Sequence, residues 1–546
     1  SSHPRFVHRD WLKQLLLLHC NRLWAFETRG AYSATMGSGA SSGISKVLEV
    51  ASDDEIKGVL KGLPKPEREK LKAALAAGAG APAPAAEAGK MTMIFQLGTN
   101  NWQVEGGGFA PGSGILHEAH HNAYNKMENT KSYSVWPLPP KLTHEPAPGR
   151  TDYKVFKLEH DIPICESVSP VSSYRWHSMS EEGFAAYRTR LADFVYQFME
   201  EAEAETGSPF TIFIAHHSFL NPLVGNDVLK KRAEAGKPPC ALCVFVHGTA
   251  LKMYVHERGG ANPEEYPKRF LPLMESEGIF SGTSDAVKRI FAISKQQVDA
   301  FKDIFADFPD DKVTISPNGI DFDTFKCPDP VMTRAEVLAE VQTAPYEGEP
   351  AAVPGDYDKM VTFVGKFANW KRLDALLHAA VSYEKTFEEK GTKVCTIIVG
   401  SGPPEAIKMY QDLALKELGL KHCYFIGPRP QPMLAKLYSV SSVGVFPSKA
   451  EPFGLVFVEC MACMTPVIGA NSGGPKDFVS PEVGMLVPEP GSYEPEDVKK
   501  LSVDLNTAIT QAIEEDWKAS KGPAGLALAR EKFGVATQVG NLIKSV

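Results

Sequence analysis

Pro447-Ser448-Lys449-Ala450-Glu451-Pro452-Phe453-Gly454-Leu455-Val456-Phe457-Val458-Glu459 follows directly on the apolar run Val443–Phe446. An apolar run this short, closed by Pro and Ser, reads as a buried strand. The loop after it presents Glu451, and a helix is expected to start near Phe453, with Glu459 about one and a half turns inside it. The first amides of that helix, at Phe453, Gly454 and Leu455, lack carbonyl partners. Together with the positive end of the helix dipole they form a site for an anion. A carboxylate just before such a site is suited to holding sugar hydroxyls. A second one inside the helix is suited to gripping a ribose diol, because a carboxylate accepts two hydrogen bonds in fixed directions.

The same alternation extends outward in both directions. Met93–Leu97, Thr211–Ala215, Leu242–Val246, Ile290–Ile293 and Val313–Ser316 read as buried strands in the first half. Val361–Val364, Thr396–Val399, Tyr424–Ile426, Val443–Phe446, Val467–Gly469 and Met485–Val487 do so in the second. Helical patterns such as Leu373–Glu389, Ala406–Leu418 and Phe457–Cys463 lie between them. Strands separated by helices imply parallel sheets covered on both faces. The expected fold class is therefore α/β, with two doubly wound, Rossmann-like domains facing across a cleft. Turn residues at 317–330 mark the junction, which places the first domain at 91–325 and the second at 326–546, with the last helix able to cross back. Ligands of such sheets bind at the carboxyl ends of the strands.

Glu451 and Glu459, eight positions apart with Pro-Phe-Gly-Leu after the first, resemble the E-x7-E signature of retaining nucleotide-sugar glycosyltransferases of the GT-B fold. Ser316-Pro317-Asn318-Gly319-Ile320-Asp321 is similar to that family's interdomain segment. Phe425-Ile426-Gly427, Tyr438, Gly473-Gly474 and Gly484-Met485-Leu486-Val487 follow in the family's order and spacing. The resemblance covers about residues 91–546 and is strongest from 311 to 490. It implies transfer of a hexosyl group from a nucleotide diphosphate sugar to a hydroxyl acceptor with retention of anomeric configuration. It also implies that no cofactor and no essential metal are needed, because the donor phosphate serves as base and cations neutralise the leaving group.

The resemblance assigns roles to matching positions. Glu451 would contact the donor sugar, and Glu459 the ribose. In Gly365-Lys366-Phe367-Ala368-Asn369-Trp370-Lys371, Lys366 and Lys371 would clamp the diphosphate. Lys366 stands where the family usually has Arg, which keeps the charge but loses the planar fork, and Arg372 is an alternative cation. His247, ending the run Val244–Val246, matches a strand-end histidine that contacts the donor sugar near the reacting centre, and His216-His217 end the preceding strand. The Gly-rich stretch with Gly107, Gly108 and Gly112 corresponds to a loop that lines the acceptor and diphosphate site. Trp102 and Phe109 in this long loop are suited to shaping an acceptor pocket. Met464 stands where the family usually has Gly.

The 546 residues carry 66 acidic and 58 basic side chains, a net charge of −8, which argues against a protein that tracks nucleic-acid phosphates. Nine cysteines are too few for a disulfide scaffold and point to a reducing compartment such as the cytoplasm. No apolar stretch approaches the roughly 20 residues that cross a bilayer. Residues 1–90 read as an extension with short helices beginning near Ser52 and Pro66 and an Ala/Pro/Gly-rich linker at 78–89. Met36-Gly37-Ser38-Gly39-Ala40-Ser41 fits a myristoylation pattern, which would give weak membrane association if Gly37 became an N-terminus.

Other readings exist. His117-Glu118-Ala119-His120-His121 contains H-E-x-x-H, the zinc-hydrolase spelling. Cys240/Cys243 and Cys460/Cys463 have metal-ligand spacing, although buried thiols suit the second pair better. A sugar-nucleotide 2-epimerase or a non-catalytic sugar-nucleotide binder would share the fold.

Overall fold

In the first half of the chain the short apolar runs become parallel strands. They are β1 (Thr92–Leu97), β2 (Thr130–Leu138), β3 (Tyr153–Lys157), β4 (Phe210–His216), β5 (Ala241–Val246), β6 (Val287–Ala292) and β7 (Val313–Ile315). The second half supplies β8 (Lys359–Val364), β9 (Val394–Val399), β10 (Cys423–Gly427), β11 (Val443–Phe446), β12 (Val467–Ala470) and β13 (Gly484–Val487). These are features of a computed structural model that describes residues 91–104, 112–140, 142–159, 180–217, 220–247, 280–304 and 310–546. Met91–Val546 form one compact unit. The expected helices near Ser52 and Pro66, the 78–89 linker, Gly37, Gly107, Gly108 and Phe109 lie outside the described residues.

The first sheet has the order β3-β2-β1-β4-β5-β6-β7 and the second β10-β9-β8-β11-β12-β13. Every neighbouring pair is parallel. This is the two-lobed α/β architecture that the strand–helix alternation predicts. Central strands of such sheets are covered on both faces, and all six residues of β9 are accordingly buried.

The helices cover these faces for simple reasons. Ser180 caps the helix Glu181–Thr206 by accepting from the Gly183 amide, and Gly207, at φ 66°, ends it. Its residues Leu191, Val195, Phe198 and Met199 recur at helical spacing and pack on β1, where Phe198 meets the Phe95 ring edge-on. In the second lobe, Leu373–Glu389 and Pro495–Glu514 pack as a pair, with Leu376, Ala380 and Tyr383 beside Leu505 and Ile509 in one core.

β2 and β3 have no counterpart among the strands expected from sequence. β2 carries Ser132 and Ser134 at fully buried positions, which breaks the apolar run. Each serine is satisfied from a neighbouring element: the Gln96 amide donates to Ser132 Oγ, and His121 Nδ1 lies 2.9 Å from Ser134 Oγ. β3 is an edge strand whose short apolar pair Val155-Phe156 is flanked by Lys154 and Lys157. The helix expected from Phe453 begins instead at Leu455, and that expected over Ala406–Leu418 comprises Pro404–Asp412 followed by a π turn at Leu413–Glu417.

The lobes share a third core, in which Tyr124, Phe291 and Ile320 join Phe453, Phe457 and Phe533. Two chain crossings run side by side there. The Ile320 amide donates to Phe533 O (2.7 Å) and the Val535 amide to Ile320 O (3.0 Å). Gly319 is required at this point, since a Cβ on it would stand 2.5 Å from Val535 Cα. The last helix, Val535–Ser545, then packs on the first-lobe helix Gly112–Asn125. Gln538 ties the crossing together: its Oε1 accepts from the Gly319 amide (2.7 Å) and lies 2.9 Å from His120 Nε2, while its Nε2 donates to Ser316 Oγ (3.3 Å).

Met464 has φ 57°, in the left-handed region that glycine enters without cost. That accounts for the family's preference at this position. Among the described residues no helix is long and apolar enough to cross a membrane.

Replacing Gln538 by Leu leaves the Gly319 amide and His120 Nε2 without a partner in the buried crossing. Loss of stability by about 2–4 kcal/mol in urea denaturation is expected; a variant within about 0.5 kcal/mol of the parent would contradict the latch.

Candidate active site

A doubly wound parallel sheet changes winding direction at one strand pair, and the loops leaving the carboxyl ends of that pair diverge to leave a crevice. In the second lobe the pair is β8/β11. The loop after β8 carries Lys366 and Lys371, and the loop after β11 carries Glu451. Lys371 Nζ and Glu451 Oε2 are 2.6 Å apart, bridging the switch point with side chains only 18% and 16% exposed. The Lys449 amide donates to Trp370 O (2.7 Å), so the backbones of the two loops are joined as well.

A third loop, after β12, holds Glu451 from behind. Gly473 (φ 82°) pairs with Glu451, and the Gly474 amide donates to Glu451 O (2.7 Å). A Cβ on Gly473 would stand 2.1 Å from Glu451 O, and one on Gly474 would stand 2.5 Å from Pro452 O. Only a Gly-Gly pair lets these loops lie this close.

Gly454, at φ 99°, turns the chain into the helix Leu455–Ala462. The Phe453 ring is in the core against Phe478 and Phe533, so at 453–455 it is the backbone that can serve a ligand. Glu459 lies one turn further on, buried beside Tyr438 with only 8% exposure. Burial pushes its carboxyl up to about 7, and the neighbouring Tyr438 hydroxyl opposes the shift.

Lys366 is exposed on the loop after β8. Arg372 differs from the alternative cation expected from sequence. It is fully buried, at φ 52°, with Nη1 donating to Glu489 Oε1 (3.0 Å) and its guanidinium 5.3 Å from the centre of the Tyr493 ring. It anchors the segment after β13 rather than reaching the crevice.

In the first lobe the switch point is β1/β4. Thr99 Oγ1 donates across it to His216 O (3.0 Å), and the Asn221 amide donates to the same carbonyl (3.0 Å). His247, just past β5, lies with Nε2 2.8 Å from His216 Nδ1. His217 is buried at φ 69°, its ring 4.7 Å from that of His247, and neither ring nitrogen has a hydrogen-bond partner among the described residues. The His117 ring lies 4.5 Å from that of His216, tilted by 41°. Burial, reinforced by mutual repulsion, holds His117, His216 and His247 well below the ordinary imidazole range, and burial alone brings His217 to about 4. These rings are neutral at physiological pH. The carboxyl ends of the two sheets approach each other directly, since the Lys295 amide after β6 donates to Asp477 after β12 (3.0 Å).

The H-E-x-x-H histidines have separate partners. Trp102 Nε1 donates to His117 Nδ1 (3.0 Å), whereas His121 Nε2 lies 3.0 Å from Asp152. Among the described residues no three His, Cys, Asp or Glu side chains converge as a metal site. Trp102 does not line an open pocket; it is buried against Trp136, Tyr153 and both of these histidines. Gly112 opens its helix with space for a side chain, and the glycines that permit close approach are Gly98, against His117, and Gly114, against Asn101 O. Cys240, Cys243, Cys460 and Cys463 are free thiols.

Sequence reasoning passed over Gln96 and Glu489. Gln96 is a lone amide in the apolar strand Thr92–Leu97, a signal that it serves a buried partner. Glu489 follows β13 in a Pro-Glu-Pro turn and carried no such mark.

The Glu459 shift has a definite sign. The folded state holds the proton up to about pH 7 and the unfolded chain only to about 4.5. Folding therefore loses stability as pH rises through that window. Glu459→Gln removes the loss, so the variant should gain on the parent by about 3 kcal/mol between about pH 5 and 8; a pH-independent difference in denaturant midpoints would refute the buried carboxyl.

Residues 351–507 match the family described as glycosyl transferases group 1. A D-inositol 3-phosphate glycosyltransferase from Frankia alni is 29% identical over 251 residues, 44% of this chain and 56% of that protein. One from Corynebacterium efficiens is 35% identical over 131 residues, 24% of this chain and 31% of that protein. The chain thus spans about a third to a half of the length of these curated relatives. Among solved structures, sucrose-phosphate synthase from Thermosynechococcus elongatus superposes with a TM-score of 0.56 at 19% identity, covering 83% of this chain and 98% of that one. Anabaena HepE in complex with UDP and glucose gives 0.53 at 18%, covering 83% and 99%. The two parallel lobes with their joined switch-point loops thus have the GT-B fold, and within the second lobe residues 351–507 match the group 1 glycosyl transferases.

Proposed function

We propose that this protein transfers a hexosyl group from a nucleotide diphosphate sugar to a hydroxyl acceptor, with retention at the anomeric carbon. The observation that carries the reading is the Lys371–Glu451 pair across the β8/β11 switch point. Each group engages the other across the crevice, and a substrate bearing both an anion and hydroxyls satisfies them separately. Lys371 moves to the diphosphate, joined by Lys366 and the amides of Phe453, Gly454 and Leu455. Glu451 accepts from the sugar hydroxyls, and Glu459 from the ribose.

The chemistry follows from the bond that breaks. The anomeric C–O bond to phosphate cleaves, charge accumulates on the leaving diphosphate, and the cations and amides neutralise it. The leaving phosphate takes the acceptor's proton as the new bond forms on the same face. Stabilisation by protein cations needs neither a protein nucleophile nor a metal. His247 contacts the sugar from the first lobe. Relatives named for D-inositol 3-phosphate, and a fold relative solved with UDP and glucose, support a phosphorylated or polyol acceptor and a nucleoside diphosphate donor.

Thermal-shift screening against a panel of nucleoside diphosphates should find one that stabilises the protein, with the shift reduced in Glu459→Ala. Equal shifts in both proteins would contradict the ribose role. With the matching sugar nucleotide, NMR of the product should show the donor's anomeric configuration, and an inverted product would contradict retention.

A further inference from the structure

The Gln96–His216–His247 row at the carboxyl ends of β1, β4 and β5 is a set of hydrogen bonds whose direction can be read. Gln96 Nε2 donates to Ser132 Oγ (2.8 Å), which leaves Gln96 Oε1 facing His216 Nε2 (3.0 Å). An amide oxygen only accepts, so His216 carries its proton on Nε2. A neutral imidazole has one N–H, so His216 Nδ1 is an acceptor. The bond of 2.8 Å to His247 Nε2 then requires the proton on His247. We infer that Gln96, acting through His216, is a positioning residue that fixes His247 in the Nε2–H tautomer, so that its Nδ1 can only accept a hydrogen bond.

Several features make the row rigid. The His216 carbonyl is held by Thr99 and Asn221, and the His217 amide donates to Phe245 O (2.7 Å). The His216 and His247 rings lie within 17° of parallel, and Phe245 stacks on both. Gln96 is fully buried in a sheet interior, where an amide without a partner would be costly. Among the described residues the neighbouring titratable groups, His117, His120 and His217, are themselves buried imidazoles, and no carboxylate there draws a second proton onto the row.

The consequence rests on the donor-sugar role proposed above for His247. A ring nitrogen that can only accept selects a sugar position bearing a hydroxyl, which donates, and disfavours a carboxylate or ether oxygen there, which cannot. The substrate class is thus a glycosyl donor with a free hydroxyl facing His247, rather than a glycuronosyl one carrying an acceptor group at that point.

The test has two independent readouts. Long-range proton–nitrogen NMR on the full chain labelled with 15N-histidine, assigned with His247→Gln and His216→Gln, reports each tautomer directly. Both rings should be protonated on Nε2 in the parent and should redistribute in Gln96→Met, which removes the acceptor. Protonation of His247 on Nδ1, or unchanged tautomers in Gln96→Met, would overturn the relay. With a turned-over sugar nucleotide, Gln96→Met should lower kcat about tenfold with KM within about twofold. A loss confined to KM would overturn the positioning role. Correct tautomers without turnover of any sugar nucleotide would instead sink the glycosyltransfer reading and leave the relay standing.

Discussion

One ion pair sits where the topology of the second lobe leaves it no alternative. A parallel sheet sends every loop of interest to one edge, and the reversal of winding between β8 and β11 separates two of those loops. Lys371 and Glu451 close that gap at 2.6 Å, while the Lys449–Trp370 backbone bond ties the loops beneath them. The surrounding sequence supports that contact. Gly473-Gly474 lies flat against Glu451, Gly454 turns the chain into the helix bearing Glu459, and the buried Arg372–Glu489 pair pins the segment next to Lys371.

The two sides of the cleft differ in electrostatics. The second lobe presents cations and helix amides, suited to a phosphate. The first presents a cluster of neutral imidazoles whose charge is suppressed by burial and by one another. Neutral, directional groups suit hydroxyls, so a donor with a charged end and a polyol end matches the asymmetry of the site.

The strands with continuous apolar runs could be read from sequence because a strand buried on both faces needs little else. β2 could not, because Ser132 and Ser134 are paid for by Gln96 and His121, partners distant in sequence. Glu451 and Glu459 could be placed because their spacing is local to the strand–loop–helix unit after β11, and Lys371 because it follows the apolar strand β8. Trp102 was misplaced because an aromatic beside glycines looks the same whether it faces a pocket or a core, and only its contacts with Trp136 and Tyr153 distinguish the two. Arg372 stood next to Lys371 in sequence, but a left-handed backbone turns it inward to Glu489. Met464 shows the same limit, since a positive φ on a non-glycine residue carries no mark in the sequence.

The account stands on a single exchange, in which the Lys371–Glu451 pair opens to admit a diphosphate on one side and a sugar on the other. Calorimetry of the matching nucleoside diphosphate and its sugar-bearing form against two variants separates these halves. Lys371→Met should weaken both ligands by about tenfold or more, whereas Glu451→Gln should spare the nucleoside diphosphate and remove the increment due to the sugar. Two variants that bind both ligands as tightly as the parent would contradict it.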